Sequence, residues 1–271
     1  MRQFVASSET DSSGILEITG KDFRYMRQVL RLCPGDMVSV SMPSGRQLQM
    51  TVCTADDKSK KLLLQQCDSG EIPETDIQPE PDTFYVLFQF IPKPQKMEVI
   101  VRQAVECGVS VIIPVIGDYT QSGSEKSLME KSSSGSSGRN DRYSRIIREA
   151  RQQSGSPVDT KLLAPVKLDE AVSYWKELVS GTEDPSVAIV LYERRDGVIE
   201  MKDVVAECAG NKIKYAAVFV GSEGGVSPDE ISYLMENGFK AVHFKTNILR
   251  CETAALYGMA ALQTAITNFM R

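Results

Sequence analysis

Histidine is almost missing from this chain: His243 stands alone among 271 residues. Its six cysteines, Cys33, Cys53, Cys67, Cys107, Cys208 and Cys251, are scattered and form no CxxC pair. Zinc sites need clustered ligands, so no metal is expected, and the cysteines read as free thiols of a reducing compartment. Cys251 stays open as an exception because it falls inside a candidate site. Long apolar runs are lacking too. Phe84 to Ile91 and Val109 to Ile116 are too short to span a bilayer. Met1-Arg2-Gln3-Phe4 opens no signal-peptide core, so a cytoplasmic protein with no membrane partner is expected. A net charge of −5 excludes a protein that coats nucleic acid indiscriminately.

Positive charge is instead local. Lys21, Arg24, Arg27 and Arg31 cluster with only Asp22 opposing them. Arg139, Arg142, Arg145, Arg148 and Arg151 recur at threes, a run that drifts slowly around one side of a helix. A solvated helix face produces this pattern, and so do contacts to RNA phosphates.

Residues 1 to about 75 read as a small, mostly β module. Alternating runs at Met37 to Ser41, Leu48 to Cys53 and Lys61 to Gln65 are separated by turn signals such as Pro34-Gly35-Asp36. One helix, Lys21 to Leu32, interrupts them, and the spacing suits a small barrel. Ile72 to Asp82, rich in proline and acids, reads as a linker. From residue 76 to 271 the pattern alternates. Strands are expected at Phe84 to Phe90, Val109 to Ile116, Ser186 to Tyr192, Tyr215 to Val220 and Lys240 to Lys245. Helices are expected at Gln95 to Cys107, about 139–153, 168–180 and Glu200 to Ala209. In the first helix Met97, Ile100, Val101, Ala104 and Val105 share a face, and Gly108 can end it. Lys131 to Gly138 is almost all Ser and Gly, a surface loop. Strands alternating with helices predict an α/β domain whose parallel sheet is covered on both faces. The last helix, Ala254 to Met270, is apolar on nearly all sides and belongs in the core or a subunit interface.

Two loops carry the chemistry. Gly221-Ser222-Glu223-Gly224-Gly225 follows one strand, and Asn247-Ile248-Leu249-Arg250-Cys251-Glu252-Thr253 follows the next. Loops at the C-terminal ends of parallel strands line the ligand crevice, so the pair reads as two halves of one pocket. The glycine turn lets main-chain N–H groups approach a ligand, or is simply a tight turn. Its G-x-x-G-G spacing matches neither the dinucleotide fingerprint nor a Walker loop. Ser227-Pro228-Asp229-Glu230 next to it is a capping box. Arg250 and Glu252 enter the last helix either as an ion pair or cap, or as the charged groups of a site. His243, in mid-strand, reads as a core or edge histidine.

The pairing of Gly221 to Glu230 with Asn247 to Leu256 resembles the signature of the RsmE family, SPOUT-class methyltransferases of uridine N3 in small-subunit ribosomal RNA. Lys96-Met97-Glu98 with Gln103 to Val109, Arg145-Ile146-Ile147 with Gln153-Ser154-Gly155, and Val29 to Leu32 with Pro34-Gly35-Asp36 are similar to further elements of that family. The resemblance covers most of the chain. It implies S-adenosylmethionine as methyl donor, a C-terminal trefoil knot, a PUA-like N-terminal barrel, a homodimer and ribosomal RNA as partner. It implies a cofactor pocket among three loops: Leu191, Tyr192 and Glu193; Gly221, Glu223, Gly224 and Gly225; and Phe244 to Arg250 with Ile248 and Leu249, together with Thr253. Arg24, Arg27, Arg31, Arg142 and Arg145 become candidate RNA contacts. Ser222, Phe244-Lys245, Asn247, Cys251 and Ser156 depart from the usual Pro, Leu-Gly, Arg, Thr and Arg.

The implied reaction sets its own requirement. Uridine N3 must lose its proton before attacking a methyl sulfonium, so positioning and stabilisation of the anion matter most. Arg250 is the expected stabiliser, with Glu252 orienting it. The rival readings are a related RNA methyltransferase with another target, a non-catalytic RNA-binding protein, and an enzyme using the glycine loop as an anion nest.

Overall fold

The computed structural model describes residues 3–71, 81–129, 140–194, 198–206 and 212–269. Residues 72–80 of the expected linker, the Ser/Gly run, Arg139, Cys208 and the end of the expected helix to Ala209 lie outside them. The chain divides into two compact units, one of residues 1–79 with 152–155, the other of residues 80–151 with 156–271.

The first unit is built on a five-stranded mixed sheet of β1 (Gln3–Val5), β2 (Ile15–Thr19), β3 (Met37–Ser41), β4 (Gln47–Asp56) and β5 (Lys61–Glu71), in the order β1-β3-β4-β5-β2. Among the described residues no pairing joins β1 to β2, so the barrel-like sheet is not closed by hydrogen bonds. Alternate residues of β4, Leu48, Met50 and Val52, bury against Phe4, Leu16 and Leu62.

The expected helix from Lys21 to Leu32 is broken. Helix α1 (Gly20–Arg24) runs into a π turn, Tyr25–Val29, and Arg31 then takes φ +54. Phe23, Met26 and Leu32 are all buried. A continuous α-helix would set Leu32 about 180° from Phe23, at roughly 100° per residue. The wide turn, with Leu32 N–H donating to the Met26 carbonyl at 2.9 Å, brings all three to one core. Arg27 holds this corner by donating to the Leu32 carbonyl at 2.6 Å and to both Asp57 carboxylate oxygens at 3.0 and 2.8 Å.

The second unit is a parallel sheet with helices on both faces. Its strands are β6 (Phe84–Phe90), β7 (Val111–Ile116), β8 (Lys161–Leu162), β9 (Val166–Lys167), β10 (Ser186–Leu191), β11 (Tyr215–Val220) and β12 (Lys240–Val242), in the order β12-β10-β11-β6-β7-β8, with β9 also on β7. Between them run α2 (Pro94–Glu106), α3 (Ser122–Met129), α4 (Asn140–Ser154), α5 (Leu168–Val179), α6 (Met201–Ala206), α7 (Pro228–Glu236) and the final α8 (Cys251–Phe269). Every strand pair is parallel. Side chains alternate across the sheet. Leu87, Ile112, Ile189 and Val218 face the layer containing α2 and α8. Phe88, Ile113, Ala188 and Phe219 face the layer of α5 and α7. Phe88 and Phe219 stack at 4.5 Å.

Helix α2 buries all five predicted face residues. It ends as foreseen at Gly108, whose φ is +69. Gly108 N–H bonds the Val105 carbonyl and Val109 N–H the Ala104 carbonyl, a Schellman pair. Three expectations are corrected. The strand expected to Lys245 stops at Val242, because the chain turns out of the sheet and packs the Phe244 ring edge-on against Tyr257 at 4.8 Å. Two short edge strands, β8 and β9, join the expected five; two residues each give no readable alternation. Helix α8 buries Cys251, Ala255, Met259, Leu262 and Ile266 but leaves Leu256 and Tyr257 exposed, so within one chain it is covered on one side only. Among the described residues, no helix is long and apolar enough to cross a membrane.

Candidate functional site

A cavity of about 460 Å³ opens at the C-terminal ends of β10, β11 and β12. Its wall is made from Leu191 to Glu193, Val220 to Val226, Val242 to Phe244 and Thr246 to Cys251, with Lys96 and Ala254. Position follows from topology, since loops at these strand ends face one crevice. The structure therefore brings Leu191, Tyr192, Gly221, Glu223, Gly224, Gly225, Phe244, Ile248, Leu249 and Arg250 to one wall. Thr253, the third residue of α8, is exposed and lies off that wall.

The glycines are required by the chain's own packing. A Cβ on Gly221 would stand 2.7 Å from the carbonyl carbon of Gly225, and one on Gly224 would meet the Tyr119 ring at 2.7 Å. Gly225 has φ +80, and its N–H closes a turn on the Ser222 carbonyl at 3.1 Å. Beneath the turn, fully buried Gln89 donates to the Gly221 carbonyl at 3.0 Å, while its own Oε1 has no hydrogen-bond partner. The capping box reads as the sequence foretold. Glu230 N–H donates to Ser227 Oγ at 3.2 Å, and Ser227 N–H donates to the Glu230 carboxylate at 2.7 Å.

Lys96 is the residue that sequence reasoning missed. In the first turn of α2, its ammonium lies 3.5 Å from Glu223 and 3.4 Å from Glu252, with Cys251 Sγ at 3.8 Å. Glu223 also accepts from Lys93 N–H at 3.2 Å, so the glycine loop caps α2 while α2 reaches back to the start of α8. Both ion-pair distances exceed the roughly 2.7–2.9 Å of a tight charge-assisted bond, as expected of a tether shared between two acids. Burial alone pushes the Lys96 ammonium down, but its interactions with Cys251, Glu223 and Glu252 outweigh it and hold the group above its usual value. Burial pushes Glu252 up, yet its own backbone N–H, Cys251 and Lys96 bring it below the usual carboxylate range. Burial and the Glu252 carboxylate push the Cys251 thiol up to about 12, so it is a packed thiol and not a ready nucleophile.

Arg250 and Glu252 are not brought together. Glu252 is engaged by Lys96 and Cys251. Arg250 is exposed on the cavity wall and, among the described residues, makes no side-chain hydrogen bond or ion pair. The motif Lys96-Met97-Glu98 is a signal for this position, but its partners lie more than a hundred positions away, so no local pattern reveals the pairing. His243, expected in mid-strand, instead lies just past the end of β12 on the cavity wall, half-buried, with its Nδ1 3.1 Å from the Tyr192 carbonyl.

The basic candidates divide. Arg27 is committed to Asp57, and Arg142 pairs with Glu98 at 2.7 Å. Arg24, Arg31 and Arg145 are exposed.

A parallel α/β domain with a cavity that joins main-chain and apolar walls to a few charged side chains has the form of a small-ligand-binding domain covered by helices on both faces. The RNA methyltransferase domain family matches residues 79–263. Over 206 residues the chain is 31% identical to the ribosomal RNA small subunit methyltransferase E of Aquifex aeolicus, covering 76% of this chain and 77% of that one. It is 23% identical over 262 residues to the protein of the same name from Bacillus subtilis, covering 95% and 93%. The solved ribosomal RNA small subunit methyltransferase E of Neisseria gonorrhoeae, bound to S-adenosyl methionine, superposes with a TM-score of 0.74 at 22% identity, covering 97% of each chain. The chain belongs to this RNA methyltransferase family, among the ribosomal RNA small subunit methyltransferases E.

Proposed function

We propose that the protein uses S-adenosylmethionine to methylate N3 of one uridine in small-subunit ribosomal RNA. The observation that carries this reading is the single cavity shared by the three segments that the family resemblance implied. Its residues suit the donor. Leu191, Val242, Phe244, Ile248, Leu249 and Ala254 offer apolar walls for a purine, and the glycine turn offers main-chain groups. Of the two cations on the wall, Lys96 is neutralised by Glu223 and Glu252 and the charge of Arg250 is balanced by Glu193, so the site carries no net positive charge, which favours a sulfonium over a polyphosphate. That charge balance disfavours the anion-nest rival.

The bound donor supplies an electrophilic methyl group. Uridine N3 gives up its proton to solvent, its lone pair forms the new C–N bond with that methyl, and the C–S bonding pair stays with sulfur. Arg250, which has no partner among the described residues, stabilises the N3 anion. Glu252 fixes Lys96 and the start of α8; it does not orient Arg250. The Arg24, Arg31 and Arg145 side chains supply phosphate contacts, and Arg27 serves the fold. The assignment of residues 1–75 as a PUA-like RNA-binding domain and 76–271 as the SPOUT-like domain completes the reading. The connection from β11 passes β10 to set β12 on its far side, which supports a trefoil-knotted path. Exposed Leu256 and Tyr257 on α8 support burial against a second copy, and the absence of long apolar helices among the described residues agrees with a cytoplasmic setting.

A second reading has a specific observation in its favour. Asn247 puts a neutral side chain on the cavity wall where the family carries arginine, which suits the same chemistry on a different nucleotide. Mass spectrometry of ribosomal RNA from a deletion strain tests both: loss of one N3-methyluridine supports the first, loss of another methylated base the second, and an unchanged profile refutes both.

A further inference from the structure

Tyr119 is an aromatic ring held rigidly in the open beside the cavity. It is 47% exposed, one of few large apolar side chains left so. The turn that carries it is built with care. Thr120 N–H bonds the Gly117 carbonyl at 3.0 Å, and Gly117 N–H bonds Thr120 Oγ1 at 2.9 Å. Asp118 N–H donates to the buried Glu230 carboxylate at 2.7 Å, and Asp118 Oδ2 accepts from Ser227 Oγ at 2.6 Å. The turn is thus bolted to the capping box of α7. A Cβ on Gly117 would meet the Phe90 ring and Glu230 at 2.4 and 2.5 Å, so only glycine permits this seat. One edge of the Tyr119 ring rests on Gly224 of the cavity wall.

Proteins that act on single bases seat the unstacked base against an aromatic ring. We propose that Tyr119 is the stacking platform for a nucleobase of the RNA substrate, either the target or its immediate neighbour, at the mouth of the cavity. The inference rests on RNA being the substrate, and its role is binding, not proton transfer. A π face is worth about 5- to 150-fold in affinity per stacked base.

The test measures binding of a small-subunit ribosomal RNA transcript, and of S-adenosylmethionine separately, to the full chain. Y119F is expected to match the wild type for both ligands. Y119A and Y119L are expected to lose roughly 5- to 150-fold in RNA affinity, to raise KM for RNA far more than they lower kcat, and to keep the donor affinity. Leucine preserves bulk against Gly224, so it guards against mere loosening of the loop. RNA affinity unchanged in Y119L overturns the proposal, whatever the methylation activity. A wild-type chain that binds RNA through Tyr119 but transfers no methyl group overturns the proposed reaction and leaves the platform standing.

Discussion

The two loops that leave the strands flanking β10 line one cavity, yet they are built in opposite ways. The glycine loop is fixed: Ser222 and Val226 are buried, Gly221 touches Gly225, Gly224 touches Tyr119, and Glu223 is tied to α2. The second loop is open. Lys245, Thr246, Asn247 and Ile248 are exposed, Ile248 at 87%, its internal bonds are local ones from Thr246, and its tie to the rest of the domain is a surface ion pair of Lys245 with Glu200 at 2.7 Å. A wall meant for one small ligand gains from being preformed, because ordering it on binding would cost affinity. A wall that also meets RNA can remain adaptable.

The sharpest way to break this contrast is Gly221→Ala. The added methyl meets backbone, which cannot swing aside as a side chain can, so a loss of about 1–3 kcal/mol in stability is expected, with collapse of donor affinity. Urea unfolding and calorimetry read both; intact affinity would remove the turn from the donor wall. On the open loop, Arg250→Ala should instead leave donor binding and stability nearly alone while methyl transfer falls roughly 10²–10³-fold. Unchanged turnover would sink its assignment. Ser227→Ala should cost about 1 kcal/mol through loss of the cap, and should also free the Asp118 turn, seen as faster amide exchange there.

A smaller effect follows from Cys251, at the junction of loop and helix. The folded thiol keeps its proton up to about 12, whereas the unfolded thiol releases it near 9. Between those values the unfolded state binds fewer protons, so the stability is complete below about pH 9 and declines as pH rises towards 12. Denaturation of Cys251→Ala should show a flatter alkaline limb. Least of all, Ile248→Ser should shift stability by less than about 0.5 kcal/mol, since nothing is unburied; a larger loss would show that the loop is packed after all.

Much of the second unit was legible because its signals are local. The apolar run Phe84 to Phe90, the five-residue face of α2, Gly108 and the Ser227–Glu230 box each depend on neighbours a few positions away. The cavity segments were legible through motif resemblance, and they do meet. Thr253 was assigned to the pocket by the family resemblance, but two residues past Cys251 the helix turns it away from the wall that Cys251 and Ala254 share. The π turn at Tyr25 was hidden, because Lys21 to Leu32 has acceptable helix composition and only the need to bury both Phe23 and Leu32 breaks it.

The sequence by itself determined the element types, the glycine turn, the cap and the two loops of the crevice, since short-range sterics and periodicity govern those. Tertiary structure alone decided that Glu252 answers Lys96 instead of Arg250, that Gly224 makes room for Tyr119, and that α8 stays half uncovered. Those outcomes depend on which distant side chains the sheet order brings within a few ångströms, and no local pattern encodes that.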